Sequence, residues 1–93
     1  MIGQKVFDVR LSHEAEKFYH KTDEKLKSRL NIVFHVLSKN PVPARIYDLK
    51  KITGEENSYR IRLSRYRMVY TVFWDEKVIR VTKIEQRDEH TYD

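Results

Sequence analysis

The stretch Tyr59-Arg60-Ile61-Arg62-Leu63-Ser64-Arg65-Tyr66-Arg67 runs directly into Met68-Val69-Tyr70-Thr71-Val72-Phe73-Trp74. Its first nine residues hold four arginines and no acid. Arg60 and Arg62 alternate with Tyr59, Ile61 and Leu63. Successive side chains of a strand point to opposite faces, so one face is guanidinium and the other apolar. Antiparallel sheets often leave one face in water, but arginines gathered without intervening acids suit an anionic partner. Ser64-Arg65 is short enough to close a hairpin, and Asp75-Glu76 leads into another alternating run. Strands over 59–64, 66–74 and 77–84 therefore form an antiparallel meander. Met68, Tyr70 and Val72 pack with Ile61 and Leu63 on its apolar face, which Ile79 and Val81 extend.

That face needs a cover, and the N-terminal half supplies one. Val6 to Leu11 alternates, with Phe7, Val9 and Leu11 on one side, and predicts a half-buried strand. Ser12 is placed as an N-cap, with Glu14 and Glu16 near the helix start. Ala15, Phe18 and Tyr19 carry that helix to about Lys21. Thr22 caps a second helix, whose apolar stripe is Leu26, Leu30, Val33, Phe34 and Leu37. Asn40-Pro41-Val42-Pro43 ends it, because proline disfavours helix in the residue before it. Residues 44 to 58 read as a loop with room for a short strand, Ile46, Leu49 and Ile52 serving as its buried anchors. The predicted architecture is α+β in the order β-α-α-β-β-β: a helical hairpin packed on a small, mainly antiparallel sheet.

The chain has 93 residues, which bounds it to a single domain spanning 1–93. A charged content of 35% and a net charge of +5 describe a folded basic chain with a polyanionic partner, nucleic acid or an acidic protein. The absence of cysteine excludes disulfide scaffolds, cysteine-based zinc sites and thiol catalysis. No run is long enough to span a bilayer, and Met1-Ile2-Gly3-Gln4-Lys5 opens no signal region, so a cytoplasmic protein without a membrane partner is expected.

Arg60, Arg62 and Arg67 form the main candidate constellation. A hairpin at Ser64-Arg65 returns Arg67 beside Arg62, where like charges about 5 Å apart repel and gain from an intervening phosphate. Arg45, Lys50, Lys51 and Arg65 widen this phosphate-binding patch. Tyr59, Tyr66 and Tyr92 can stack on unpaired bases or pack as ordinary aromatic ballast. Arg87, His90 and Tyr92 form a second group in the tail, where a histidine with an ordinary pKa of about 6.5 suits proton transfer. His13, His20 and His35 have no supporting carboxylate geometry for a metal site, and two glycines cannot make a nucleotide-binding loop, so no cofactor is expected.

Leu49 to Gly54, Tyr59-Arg60-Ile61-Arg62-Leu63, Tyr66-Arg67-Met68-Val69-Tyr70 and the Arg87 tail resemble the RelE/ParE superfamily of bacterial and archaeal toxins. The resemblance covers essentially the whole chain and implies the toxin of a type II toxin–antitoxin pair, with an antitoxin as protein partner. In the RelE branch it implies a ribosome-dependent endonuclease that cuts mRNA through attack by the RNA's own 2′-hydroxyl. Arg60, Arg62, Arg67 and Arg87 then orient and stabilise the phosphoryl group, and Tyr92 matches the C-terminal tyrosine. In the ParE branch the same fold inhibits DNA gyrase without a nuclease set, and an inactive RNA- or antitoxin-binding homologue is a third possibility. The RelE pattern has lysine where this chain has Arg60 and Arg62, and arginine cannot readily act as a base. Proton transfer therefore falls to Tyr92 or His90, or is weak. Arg65 also stands where the family has a glycine before Tyr-Arg, which points to a different turn.

Overall fold

A computed structural model of the protein describes residues 6–87. The elements run β1 (Asp8–Leu11), α1 (His13–Lys21), α2 (Glu24–Lys39), β2 (Asp48–Lys51), β3 (Ser58–Leu63), β4 (Tyr66–Phe73) and β5 (Val78–Gln86). The strands make one sheet in the order β1-β5-β4-β3-β2. β1 joins β5 in parallel, and the other pairs are antiparallel.

Each helix begins where the sequence supplies a side-chain acceptor. Ser12 Oγ accepts from the Ala15 amide at 3.1 Å, and Asp23 Oδ1 accepts from the Leu26 amide at 2.8 Å. The cap of α2 is thus Asp23 and not Thr22, whose own amide closes α1 by donating to the Phe18 carbonyl at 3.1 Å. A carboxylate at this position also meets the positive end of the helix dipole, which a hydroxyl does not. Leu26, Leu30, Val33 and Leu37 of α2 are buried, with Phe34 packed at the edge. Opposite them lie Ile61, Leu63, Met68, Tyr70, Val72, Ile79, Val81 and Ile84. Each fully buried leucine or isoleucine contributes about 1.5–3 kcal/mol of transfer free energy, so the two layers hold each other. Beyond α2, the Tyr70 hydroxyl donates to the Pro41 carbonyl at 2.7 Å, fixing the exit of the helix over the sheet. Burial raises the Tyr70 phenol well above its ordinary pKa, and the neighbouring Tyr59 adds to this.

Three elements differ from the sequence pattern. The short strand in the 44–58 segment forms fully and becomes β2, so among the described residues the sheet has five strands where the N-terminal strand and the meander together predict four. Its Leu49 stands opposite Ile61, toward the core, whereas Ile46 is 62% exposed in the preceding turn and anchors nothing. β1 starts at Asp8, because the Phe7 amide is already bonded to the Ser38 carbonyl at the end of α2. β5 continues two residues past Ile84, which brings Glu85 and Gln86 into the sheet opposite Arg67 and Tyr66. Upstream of that extension, β5 contains a bulge. Val69 faces Lys83 and Tyr70 faces Val81, leaving Thr82 as the extra residue. The Thr82 hydroxyl donates to Val69 O at 3.2 Å and its carbonyl accepts from Ser12 Oγ at 2.9 Å, so the bulge also secures the start of α1.

Candidate functional site

With Ile61, Met68 and Ile84 turned toward the helices, their neighbours point to the opposite, open face of the sheet. The register lines up two transverse rows there. Asp48, Arg62, Arg67 and Glu85 face one another across β2, β3, β4 and β5. Lys50, Arg60, Val69 and Lys83 form the next row. The first row runs acid, arginine, arginine, acid, so that each arginine leans on the acid of its flanking strand. Arg62 Nη1 lies 3.3 Å from Asp48 Oδ2, and Arg67 Nε lies 2.7 Å from Glu85 Oε2. Two guanidiniums directly opposite on neighbouring strands repel, and these flanking carboxylates offset that repulsion. The second row has no acid of its own; Lys83 Nζ reaches only as far as Glu85 Oε1, at 4.0 Å.

Between the rows lies a hollow of about 300 Å³ lined by Lys50, Lys51, Arg60, Arg67, Lys83 and Glu85, with Val69 and Ile52 as its apolar floor and rim. Among the described residues, five cations and one carboxylate line it. Arg60 is only 6% exposed, so its guanidinium acts from beneath, where the effective dielectric is lower and charge acts more strongly. The arrangement suits a phosphodiester: guanidinium forks grip non-bridging oxygens bidentately, and ammonium groups add compact charge. Among the described residues no three of His, Cys, Asp or Glu gather as a metal-binding group.

The turn between β3 and β4 frames one end of this face. Ser64 takes the left-handed conformation, φ 58°, that the tight reversal requires and that costs a serine about 1–2 kcal/mol. The Arg87 amide donates to the Arg65 carbonyl at 2.5 Å and Arg87 Nη1 to the Ser64 carbonyl at 3.2 Å, tying the end of β5 to the turn. Ser64, and not Arg65 at the position where the family has its glycine, supplies the positive φ.

A family model described as the ParE toxin of type II toxin–antitoxin systems (parDE) matches residues 7–90. The chain belongs to the RelE/ParE toxin superfamily. A protein designated toxin RelE1 from Methanocaldococcus jannaschii is 34% identical over 56 residues, a match covering 60% of this chain and 62% of that protein. The chain thus spans less than two thirds of that curated relative's length. The RelE–RelB complex of Pyrococcus horikoshii OT3 contains a chain of the same fold, with a TM-score of 0.80 and 28% identity, over 90% of this chain and 98% of that one. The intact Escherichia coli RelBE complex matches in fold at a TM-score of 0.75 and 20% identity, over 89% and 99% of the two chains. No helix among the described residues is long and apolar enough to cross a membrane.

Within this member of the RelE/ParE superfamily, the candidate residues sort by location. Arg60, Arg67, Lys50 and Lys51 share the hollow, and Arg62 flanks it in the adjoining row. Arg87 sits at the β3–β4 turn. Arg45 does not line the hollow, and Arg65 borders a different one on the helix side of the turn. His90 and Tyr92 lie outside the described residues. Of the two readings for Tyr59, stacking or packing, the structure shows packing, with its ring 5.6 Å from that of Tyr70 and against the core. Tyr66 likewise turns to the helix side, edge-on to Phe18 at 6.0 Å. Sequence reasoning missed Lys83 and Glu85. Their signal is the broken alternation of β5: Val81 and Ile84 are three apart yet both buried, which requires a bulge between them. Past it, Lys83 and Glu85 share the open face.

Proposed function

We propose that this toxin is a ribosome-dependent mRNA endonuclease that inhibits translation. The observation that carries this reading is the hollow of about 300 Å³ with five cations around a single carboxylate. In the reaction, the RNA 2′-hydroxyl attacks the adjacent phosphorus, a 2′-O–P bond forms, and the P–O5′ bond breaks. Arg67 and the buried Arg60 stabilise charge on the non-bridging oxygens, the contribution that usually dominates such chemistry. Arg62 and Arg87 orient the strand on either side. Glu85, the carboxylate among the described residues of the hollow, accepts the 2′-hydroxyl proton, and the Lys83 ammonium 4.0 Å away donates to the departing 5′-oxygen. An antitoxin completes the system, as the RelB chains do in the complexes of the similar structures. Against a chain of net charge +5, an acidic segment that folds on binding suits this surface.

The family model's ParE description favours a second reading, inhibition of DNA gyrase without RNA cleavage. Induced expression separates the two. Primer extension on cellular transcripts should reveal cuts within codons while plasmid supercoiling persists. Intact transcripts with blocked supercoiling support the gyrase reading and reject the nuclease.

A further inference from the structure

The turn that ends the open face has a second basic hollow on its other side. Lys25, Arg29, Arg65 and Tyr66, with Asp23, Leu26 and Ser64, line a space of about 220 Å³ between the start of α2 and the β3–β4 turn. All three cations are exposed. Among the described residues none of the three has an ion pair, in contrast to Arg62 and Arg67 with their carboxylates. The acid in the hollow, Asp23, is committed to the Leu26 amide as helix cap. The nearby Glu24 leans on Lys27, at 3.6 Å.

The local fold gives no reason for this concentration of charge. Lys25 stands in the first turn of α2, where the helix dipole disfavours a cation by roughly 0.3–1 kcal/mol. Arg65 occupies a turn beside a strained serine, and among the described residues its side chain has no hydrogen bond or ion pair that would hold the reversal. Arg29 extends its positive field to the Tyr47 phenol, where it works against the upward shift caused by burial. With three cations against one carboxylate among its lining residues, the hollow keeps a net positive charge and gains by taking up an anion. Its position says which one. Ser64 and Arg65 of the turn line this hollow while Arg67, two residues on in β4, lines the first, a separation of at most about 7 Å along the chain, so a polyanion held in the first hollow and passing the turn meets the second.

We infer that the hollow formed by Lys25, Arg29 and Arg65 is a second binding site for the phosphodiester backbone of an RNA strand, continuous around the β3–β4 turn with the cationic hollow on the open face. It contributes affinity and orientation, and its cations touch no reacting atom. The inference rests on the RNA-directed reading above for the identity of the polyanion, but it fails or stands separately from cleavage.

The test uses the full chain with Lys25→Gln, Arg29→Gln and Arg65→Gln combined, and a fluorescently labelled single-stranded RNA long enough to span both hollows. All three side chains are exposed, so the variant should melt with the wild type. Binding is followed by anisotropy from 50 to 200 mM salt. Each lost phosphate contact removes about 0.7 from the log–log salt slope for a single strand. The slope should therefore fall by about 2, and the variant's affinity should drop roughly 20-fold less than the wild type's over that range. A variant with the wild-type slope and affinity overturns the inference while leaving the nuclease reading intact. A slope that falls as expected in a protein that cuts no transcript upholds this site and rejects the nuclease. Unchanged RNA binding together with lost binding of a poly-glutamate peptide overturns it in favour of an acidic protein segment at this hollow.

Discussion

Arg67→Ala removes the side chain that both lines the hollow and donates to Glu85 at 2.7 Å. Its consequences for stability and for chemistry differ enough in size to be told apart. The Arg67 and Glu85 side chains are 26% and 35% exposed. A pair so accessible to water contributes about 1 kcal/mol or less, and Lys83 at 4.0 Å remains to share the stranded carboxylate. For a domain this size about 1 kcal/mol lowers the melting temperature by roughly 4–8 °C. The rate effect is larger, because a preorganised donor to developing phosphoryl charge is worth about 100- to 1,000-fold, or ~3–4 kcal/mol. The assay is cleavage of a defined mRNA on programmed ribosomes, paired with a thermal melt of the same preparation. Arg67→Lys, which keeps the charge and loses the fork, should recover part of the rate and most of the melting temperature. Undiminished cleavage by folded Arg67→Ala refutes the phosphate-clamp role. Loss of cleavage accompanied by loss of the cooperative melt refutes the claim that the pair does little for the fold.

Tyr70→Phe should destabilise the fold by about 1–3 kcal/mol in urea denaturation, because it leaves the Pro41 carbonyl without the phenol that donates to it at 2.7 Å. The same residue predicts an alkaline dependence. The unfolded phenol ionises near its ordinary value of about 10 and the folded one well above it. The stabilisation is therefore fully present below pH ~10 and is lost as pH rises from there toward the folded pKa. Stability measured from pH 8 to 11 should fall more steeply in the wild type than in Tyr70→Phe. Ser12→Ala should cost about 1–2 kcal/mol, the upper half of the range for an N-cap, because Ser12 Oγ also donates to the Thr82 carbonyl; chemical denaturation checks this, and Ser12→Thr should retain most of the stability.

The periodicity of Leu26, Leu30, Val33 and Leu37, and the alternation around Ile61 and Met68, determine the two layers of this protein, because burial of an apolar face is a local property of spacing. The opposition of Arg62 and Arg67 is equally legible, since a two-residue turn at Ser64-Arg65 admits one register. The remainder depends on contacts between distant segments. Asp48–Lys51 alternates too briefly to announce a strand and forms one only because the β3 edge offers it partners. Lys83 and Glu85 reach the open face only through the bulge at Thr82, which is held by Val69 and by Ser12, a residue 70 positions away. Arg65, which composition alone assigns to the arginine patch, is carried by its turn to the helix side, against Lys25 and Arg29. Charge and periodicity in the chain specify that a cationic sheet exists. Tertiary packing decides which cations share a hollow, and that a carboxylate stands among them.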